Sequence, residues 1–358
     1  MTDAQPKAVA VKTGKRFVTL DALRGIGAAT VMAGHAGPLL GGYAPPLTYL
    51  AVDMFFVLSG FVISHAYDQK MAAGMKPLEF LRARVKRLYP IYFVGLLLGL
   101  ASLFFVNPHR LSFGQAAIGF IFGLFALPTP PMGPFEALFP LNGPFWSLFF
   151  EFWIANVSFA FLWRRLQGKV LLAFIAFCGL VLLAGVLYTR RLDVGWNWHS
   201  GLGGLARVCF SFYAGVFLAR LHAIRPPKIG LPSAACLLAF CAVMALPVGP
   251  QWSAIAGLVV IFVFFPALIF WGAEAVESHP AIGKAIGDAS YALYAIHRPL
   301  LYMLVGGLAS VNISALPKPY SLTVEVLFIG SIGVLAWGIN KLLSRPKKTF
   351  IASPQVSP

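Results

Sequence analysis

Arg24 and His35 stand eleven residues apart in LDALRGIGAATVMAGH (20–35), a stretch made mostly of small and apolar residues. Eleven residues is close to three helical turns, so both side chains fall on one face, roughly 16 Å apart along the axis. One helix would thus carry a fixed cation near one membrane surface and an imidazole deep in the other half. A charge at the bilayer centre costs at least about 2.5–3.5 kcal/mol, so each such residue is a functional candidate. The plain alternatives are a snorkelling anchor for Arg24 and an interhelical hydrogen bond for His35. Glu151, in NGPFWSLFFEFW (142–153), is expected at a depth close to that of His35. A carboxylate there can orient an imidazole and stabilise its cation, or it can be the structural partner of a buried arginine such as Arg207. Tyr291, Tyr294 and His297 repeat at i, i+3 in SYALYAIHRP (290–299) and form one stripe, with His297 expected in the inner half. Ser59 and Gly60 sit in VDMFFVLSGF (52–61), outside the GxSxG context of a hydrolase nucleophile. A small-residue packing step is as good a reading there as a catalytic one. There is no HExxH, clustered carboxylate or P-loop motif, so neither a metal nor nucleotide hydrolysis is expected.

The elements that must hold these residues follow from composition. Of 358 residues, 59% are hydrophobic and 11% charged. A soluble core could not hide that much apolar surface, which leaves an all-α, polytopic membrane protein and excludes a disulfide scaffold, a coiled coil or an ordinary soluble enzyme. About 20 apolar residues span a bilayer as a helix, which places spans near 20–40, 49–67, 89–106, 144–163, 170–188, 200–221, 231–248, 253–272, 289–309 and 321–343. The net charge of +16 lies in short clusters between spans, which argues for membrane orientation and against nucleic-acid binding. Basic groups at the inner leaflet also attract anionic cofactors and lipids. Lys12–Arg16, Arg82–Arg87, Arg164–Lys169, Arg220–Lys228 and SRPKK (344–348) mark the inside; Arg190 and Arg191 are the exception, beside an interface belt of Trp196 and Trp198. Two crossings fit between the second and third of these clusters, so the short stretch 113–127 is expected to be re-entrant or interfacial, followed by a proline-rich outer loop at 128–144. The expectation is ten crossings with both termini cytosolic: a tail at 1–16 with no cleaved signal, a membrane domain at 17–346 and a tail at 347–358. Cys178, Cys209, Cys236 and Cys241 lie in apolar stretches without metal spacing and read as inert thiols.

In order along the chain, LDALRGIGAATVMAGH, VDMFFVLSGF, FLRARVKRLYPIY (80–92), WSLFFEF (146–152) and SYALYAIH (290–297) resemble the conserved segments of the acyltransferase 3 family of integral-membrane O-acyltransferases. The first carries that family's Arg-x10-His motif at Arg24 and His35. The resemblance runs from about residue 17 to 346. It departs where the family often has a Glu before its final Pro, since Ser344 and Arg345 stand here, and it is closest to stand-alone members without an SGNH hydrolase-like domain. It implies transfer of an acyl group, most often acetyl, from cytosolic acyl-CoA (acetyl-CoA) to a hydroxyl of a surface glycan or lipid-linked acceptor in the bacterial inner membrane. In that reading His35 is the general base, Arg24 and Glu151 complete the catalytic set, and Arg84, Arg87, Tyr294 and His297 bind the donor. Ser59, Trp146 and Tyr294 are candidates for the acceptor or oxyanion contact. The rival class is a transporter or flippase for a glycan or lipid-linked precursor, which would more often show an inverted repeat of broken helices; none is evident in the sequence.

Overall fold

A computed structural model describes residues 15–105, 111–132, 136–308 and 316–343. The basic residues Lys7 and Lys12, His109, the SRPKK segment and the tails at 1–14 and 347–358 lie outside them. The described residues form eleven helices and no strand. In order they are α1 (Val18–Leu40), α2 (Ala51–Ala72), α3 (Pro77–Ser102), α4 (Phe113–Leu124), α5 (Phe145–Leu162), α6 (Gly168–Thr189), α7 (Gly201–Ile224), α8 (Ser233–Met244), α9 (Pro250–Gly272), α10 (Pro280–Gly307) and α11 (Lys318–Leu343). Wide π-type turns interrupt α5 at Phe150–Asn156 and α9 at Val260–Phe264.

Seven helices are long and apolar enough to cross a membrane: α3, α5, α6, α9, α11, and α2 and α7 with their leading turns. The protein is therefore an all-helical integral membrane protein. Three other expected spans differ in kind. Helices α1 and α10 have the length, 23 and 28 residues, but are less apolar because they carry Asp21, Arg24 and His35 on one and Asp288, His297 and Arg298 on the other. Helix α8 has only 12 residues, about 18 Å against a hydrocarbon core of about 30 Å.

The bundle is organised by two intimate parallel pairs, α1 on α10 and α2 on α7. Both depend on glycine for close approach. A Cβ at Gly60 of α2 would overlap the Phe212 carbonyl oxygen of α7, and one at Gly287 of α10 would overlap Asp21 of α1. Between α2 and α7, fully buried Arg207 donates to Asp53 at 2.5 and 3.1 Å and to the carbonyls of Val194 and Tyr49 at 2.8 and 3.0 Å. Desolvating this pair is tolerable only because the guanidinium's donors are so fully used.

Among the described residues, the basic residues at Lys15–Arg16, Arg82–Arg87, Arg164–Arg165 and Arg220 gather at one end of the bundle. There Asp68 of α2 binds Arg220 of α7 at 2.8 Å and Trp163 at 2.6 Å, while Lys15 reaches Glu274 at 2.7 Å. Arg190 and Arg191 lie at the opposite end, where Trp198 donates its indole N–H to the Thr129 carbonyl at 2.8 Å.

Helix α4 runs from that opposite end only to the level of the middle of α3. Its last carbonyls would be orphaned there. They are taken by side-chain donors: Tyr92 to Gly123 at 2.8 Å, Tyr89 to Leu124 at 2.9 Å and Trp153 to Phe125 at 3.2 Å. The chain turns at Ala126, which has a positive φ of 52°, and climbs back so that Thr129 pairs with Leu138 and Leu138 with Trp196. The four cysteines are free; Cys178 and Cys236 are buried and Cys241 is exposed.

Candidate active site

The parallel pair α1–α10 builds the centre of the site. Arg24 and His35 do share a face, and that face is turned to α10. The Arg24 guanidinium donates to the Ser290 hydroxyl at 2.8 Å, the Gly287 carbonyl at 2.9 Å and Asp21 at 2.9 Å. Three turns along, His35 Nδ1 lies 2.9 Å from His297 Nε2, with the two rings stacked 10° from parallel.

The surrounding bonds assign the protons of the uncharged pair. His297 is fully buried, and its Nδ1 faces the carbonyls of Tyr294 at 2.8 Å and Leu293 at 3.2 Å. That nitrogen must carry the hydrogen, because a carbonyl only accepts. His297 Nε2 is then an acceptor, so His35 Nδ1 donates to it. The lone pair of the dyad is left on His35 Nε2, which has no hydrogen-bond partner among the described residues and is not sealed in the interior. The arrangement yields a neutral, oriented imidazole whose second nitrogen can accept a proton. The cation then formed keeps its hydrogen bond to His297.

His297 thus lies level with His35, where the sequence reading set the two at different depths. The difference has a plain cause: α10 begins at Pro280, about nine residues before its apolar run, and Gly283 and Gly287 of those added turns pack closely on α1. Glu151 is the partner of a buried arginine, one of the two readings of the sequence, but that arginine is Arg84. Glu151 pairs neither with an imidazole nor with Arg207. Its Oε1 accepts from the Ser59 hydroxyl at 2.6 Å and from Arg84 at 3.2 Å, while Arg207 takes Asp53. Arg84 is buried by this contact, whereas Arg87 stays exposed. Trp146 lies against Arg207, whose guanidinium carbon is 5.4 Å from the ring centroid. The Tyr294 hydroxyl shares a 2.7 Å hydrogen bond with Ser147, and both reach the Pro144 carbonyl.

The sequence reading missed Ser147 and Ser290, although both lie inside the quoted motifs. It also missed Asn142, whose buried amide donates to Gly95 of α3 at 3.2 Å and Ala295 of α10 at 2.8 Å. An Asn-Gly-Pro step just before a helix was the available signal for it.

A family comparison fits this geometry. The pattern of the acyltransferase 3 family, described as an acyltransferase domain, matches residues 17–339. A curated relative, "Protein 2 in picA locus" of Rhizobium radiobacter, is 36% identical over 183 residues, 47% of this chain and 94% of its own length. No solved structure matches. With the family pattern spanning both helices of the histidine dyad and nearly every helix around them, the chain belongs to the acyltransferase 3 family and is an integral membrane acyltransferase.

Proposed function

We propose that this protein moves an acyl group, acetyl in the simplest case, from acyl-CoA supplied at the basic end of the bundle to a hydroxyl of a surface glycan or lipid-linked sugar. The observation that carries the reading is the His35–His297 dyad set three turns from Arg24 on the same α1–α10 seam. His35 Nε2 takes the proton of the acceptor hydroxyl as its oxygen attacks the thioester carbonyl. The carbon–sulfur bond then breaks, the proton passes to the departing sulfur, and an O-acyl ester and CoA thiol result. Arg24 and exposed Arg87 supply positive charge for the donor's phosphates; Arg84 is committed to Glu151 and acts through that pair.

The same reading orients the molecule. Basic clusters favour the cytosolic side. Adding α1, α8 and α10 to the seven long apolar helices gives ten crossings, with α4 re-entrant, both termini cytosolic and the protein in a bacterial cytoplasmic membrane.

The test is a deletion strain complemented with wild type or His35→Ala, with proton NMR of the purified surface glycan. Loss of O-acyl signals in the deletion and the variant, at normal membrane levels of protein, is expected. Normal acylation with His35→Ala would overturn the assignment, and unchanged acylation with altered glycan export would favour transport.

A further inference from the structure

A cleft of about 620 Å³ runs along the bundle surface between α3 and α5, with Glu151 of α5 and Tyr291 of α10 also in its lining. One stripe of α3 forms its floor, spaced 78, 81, 82, 85, 89 and 92, the i, i+3, i+4 pattern of a single helix face. Nearly all of its lining is apolar. The cations lie at one end: Arg82 and Lys86, both exposed, on the turns nearest the basic end of the bundle. Among the described residues neither has a carboxylate within ion-pair distance. Glu79, the acid of that first turn, accepts from the Lys76 backbone N–H and does not line the cleft; the acid that does, Glu151, is taken by Ser59 and Arg84.

The other end is closed. Tyr89, Tyr92 and Trp153 hold the last carbonyls of α4, and the tip of α4, Leu124 to Ala126, walls off the cleft at mid-bundle. From Leu78 to Tyr92 is about 21 Å along the helix, compared with about 15 Å for one leaflet's hydrocarbon and the remainder for its headgroup zone. The cleft is therefore a dead-end slot one leaflet deep, greasy inside and cationic at the mouth. That is the shape and charge of a single-leaflet anionic amphiphile.

We propose that this cleft binds an anionic phospholipid, its acyl chain against α3 and α5 and its phosphate on Arg82 and Lys86. The phosphate contacts, Arg82 and Lys86, are not among the residues that hold His35 or Arg24. An occupied cleft would pack the underside of α4 and so steady the re-entrant turn.

The test uses the full-length protein in nanodiscs of phosphatidylcholine with a minority of phosphatidylglycerol, released for native mass spectrometry. Wild type should retain phosphatidylglycerol with about tenfold preference, the scale of one to two basic side chains at an anionic surface. R82Q/K86Q should bring the preference close to parity. Val85→Trp should block retention of either lipid, and Leu148→Trp on the opposite wall should do the same if Val85→Trp fails to fold. Equal retention of the two lipids by wild type, or a preference that survives R82Q/K86Q, would overturn the proposal. So would release of the lipid by palmitoyl-CoA, which would give the cleft to a long-chain donor.

Discussion

At the scale of single residues, the main result is an ordering of protons. His297 cannot be the base, because its Nδ1 is bonded to carbonyls and its Nε2 to His35. In the proposed reaction it is a positioning residue. His35→Ala should lower kcat by about 10²–10⁴, the usual worth of a general base, and should remove the limb of the pH–rate profile that rises as an imidazole loses its proton. His297→Ala should leave the acceptor KM nearly unchanged and lower kcat by roughly 10–100-fold, the scale of losing a group that orients a reactive histidine. His297→Gln, whose amide oxygen can still accept from His35 Nδ1, should recover part of that loss. Steady-state kinetics on reconstituted enzyme separate the cases; a His297→Gln variant no better than His297→Ala would argue against orientation. The sequence disclosed which residues share a stripe, since that depends only on helical period. It could not disclose that His35 and His297 meet. That depends on the axial offset of α1 against α10, set by where α10 begins and by the close approach at Gly287.

At the scale of elements, the apolar runs located all eleven helices of the described residues, because lipid-facing segments must be apolar along their length. Boundaries were less legible where a helix continues beyond its apolar run, as at the start of α10, or where an apolar run continues past the helix end, as around α8. The Ser59-Gly60 step divides its labour. Gly60 admits α7, as a packing step should, while Ser59 turns the other way to Glu151. Gly60→Ala should therefore destabilise the α2–α7 pair by about 1–3 kcal/mol, the range for overpacking a tight interior. Thermal unfolding of the purified protein in detergent checks this. The ion pair on the same seam should be more sensitive. Asp53→Ala leaves the Arg207 charge buried without its acid and should cost about 3–5 kcal/mol. Replacing both partners, Asp53→Leu with Arg207→Met, should cost less than Asp53→Ala alone, because no unpaired charge remains. A double variant as unstable as the single one would show that the pair is retained for more than mutual neutralisation.

At the scale of the whole molecule, the polarity of the bundle and the shape of α4 are one question. The basic clusters converge on one end, and α4 enters and leaves from the other, so an even number of crossings separates the α2–α3 connection from the α5–α6 connection. If α4 crossed instead, its two flanks would lie on opposite sides of the membrane, and every element after it would be inverted relative to the first three. The parallel pairing of α1 with α10, which brings His35 to His297, would then need α10 to enter from the wrong surface. In a background without the native cysteines, Phe113→Cys and Pro131→Cys flank α4 at exposed positions, and Ala73→Cys marks the α2–α3 connection at the basic end. A membrane-impermeant maleimide added to intact cells should modify the first two and spare the third, and Ala73→Cys should react once the membrane is opened. Labelling of 113 and 131 from opposite sides would make α4 a crossing and remove the geometric basis for the dyad. Labelling of both from the outside ties the re-entrant turn, the donor side and the catalytic seam to a single orientation, because the parallel pairs leave no element free to invert alone.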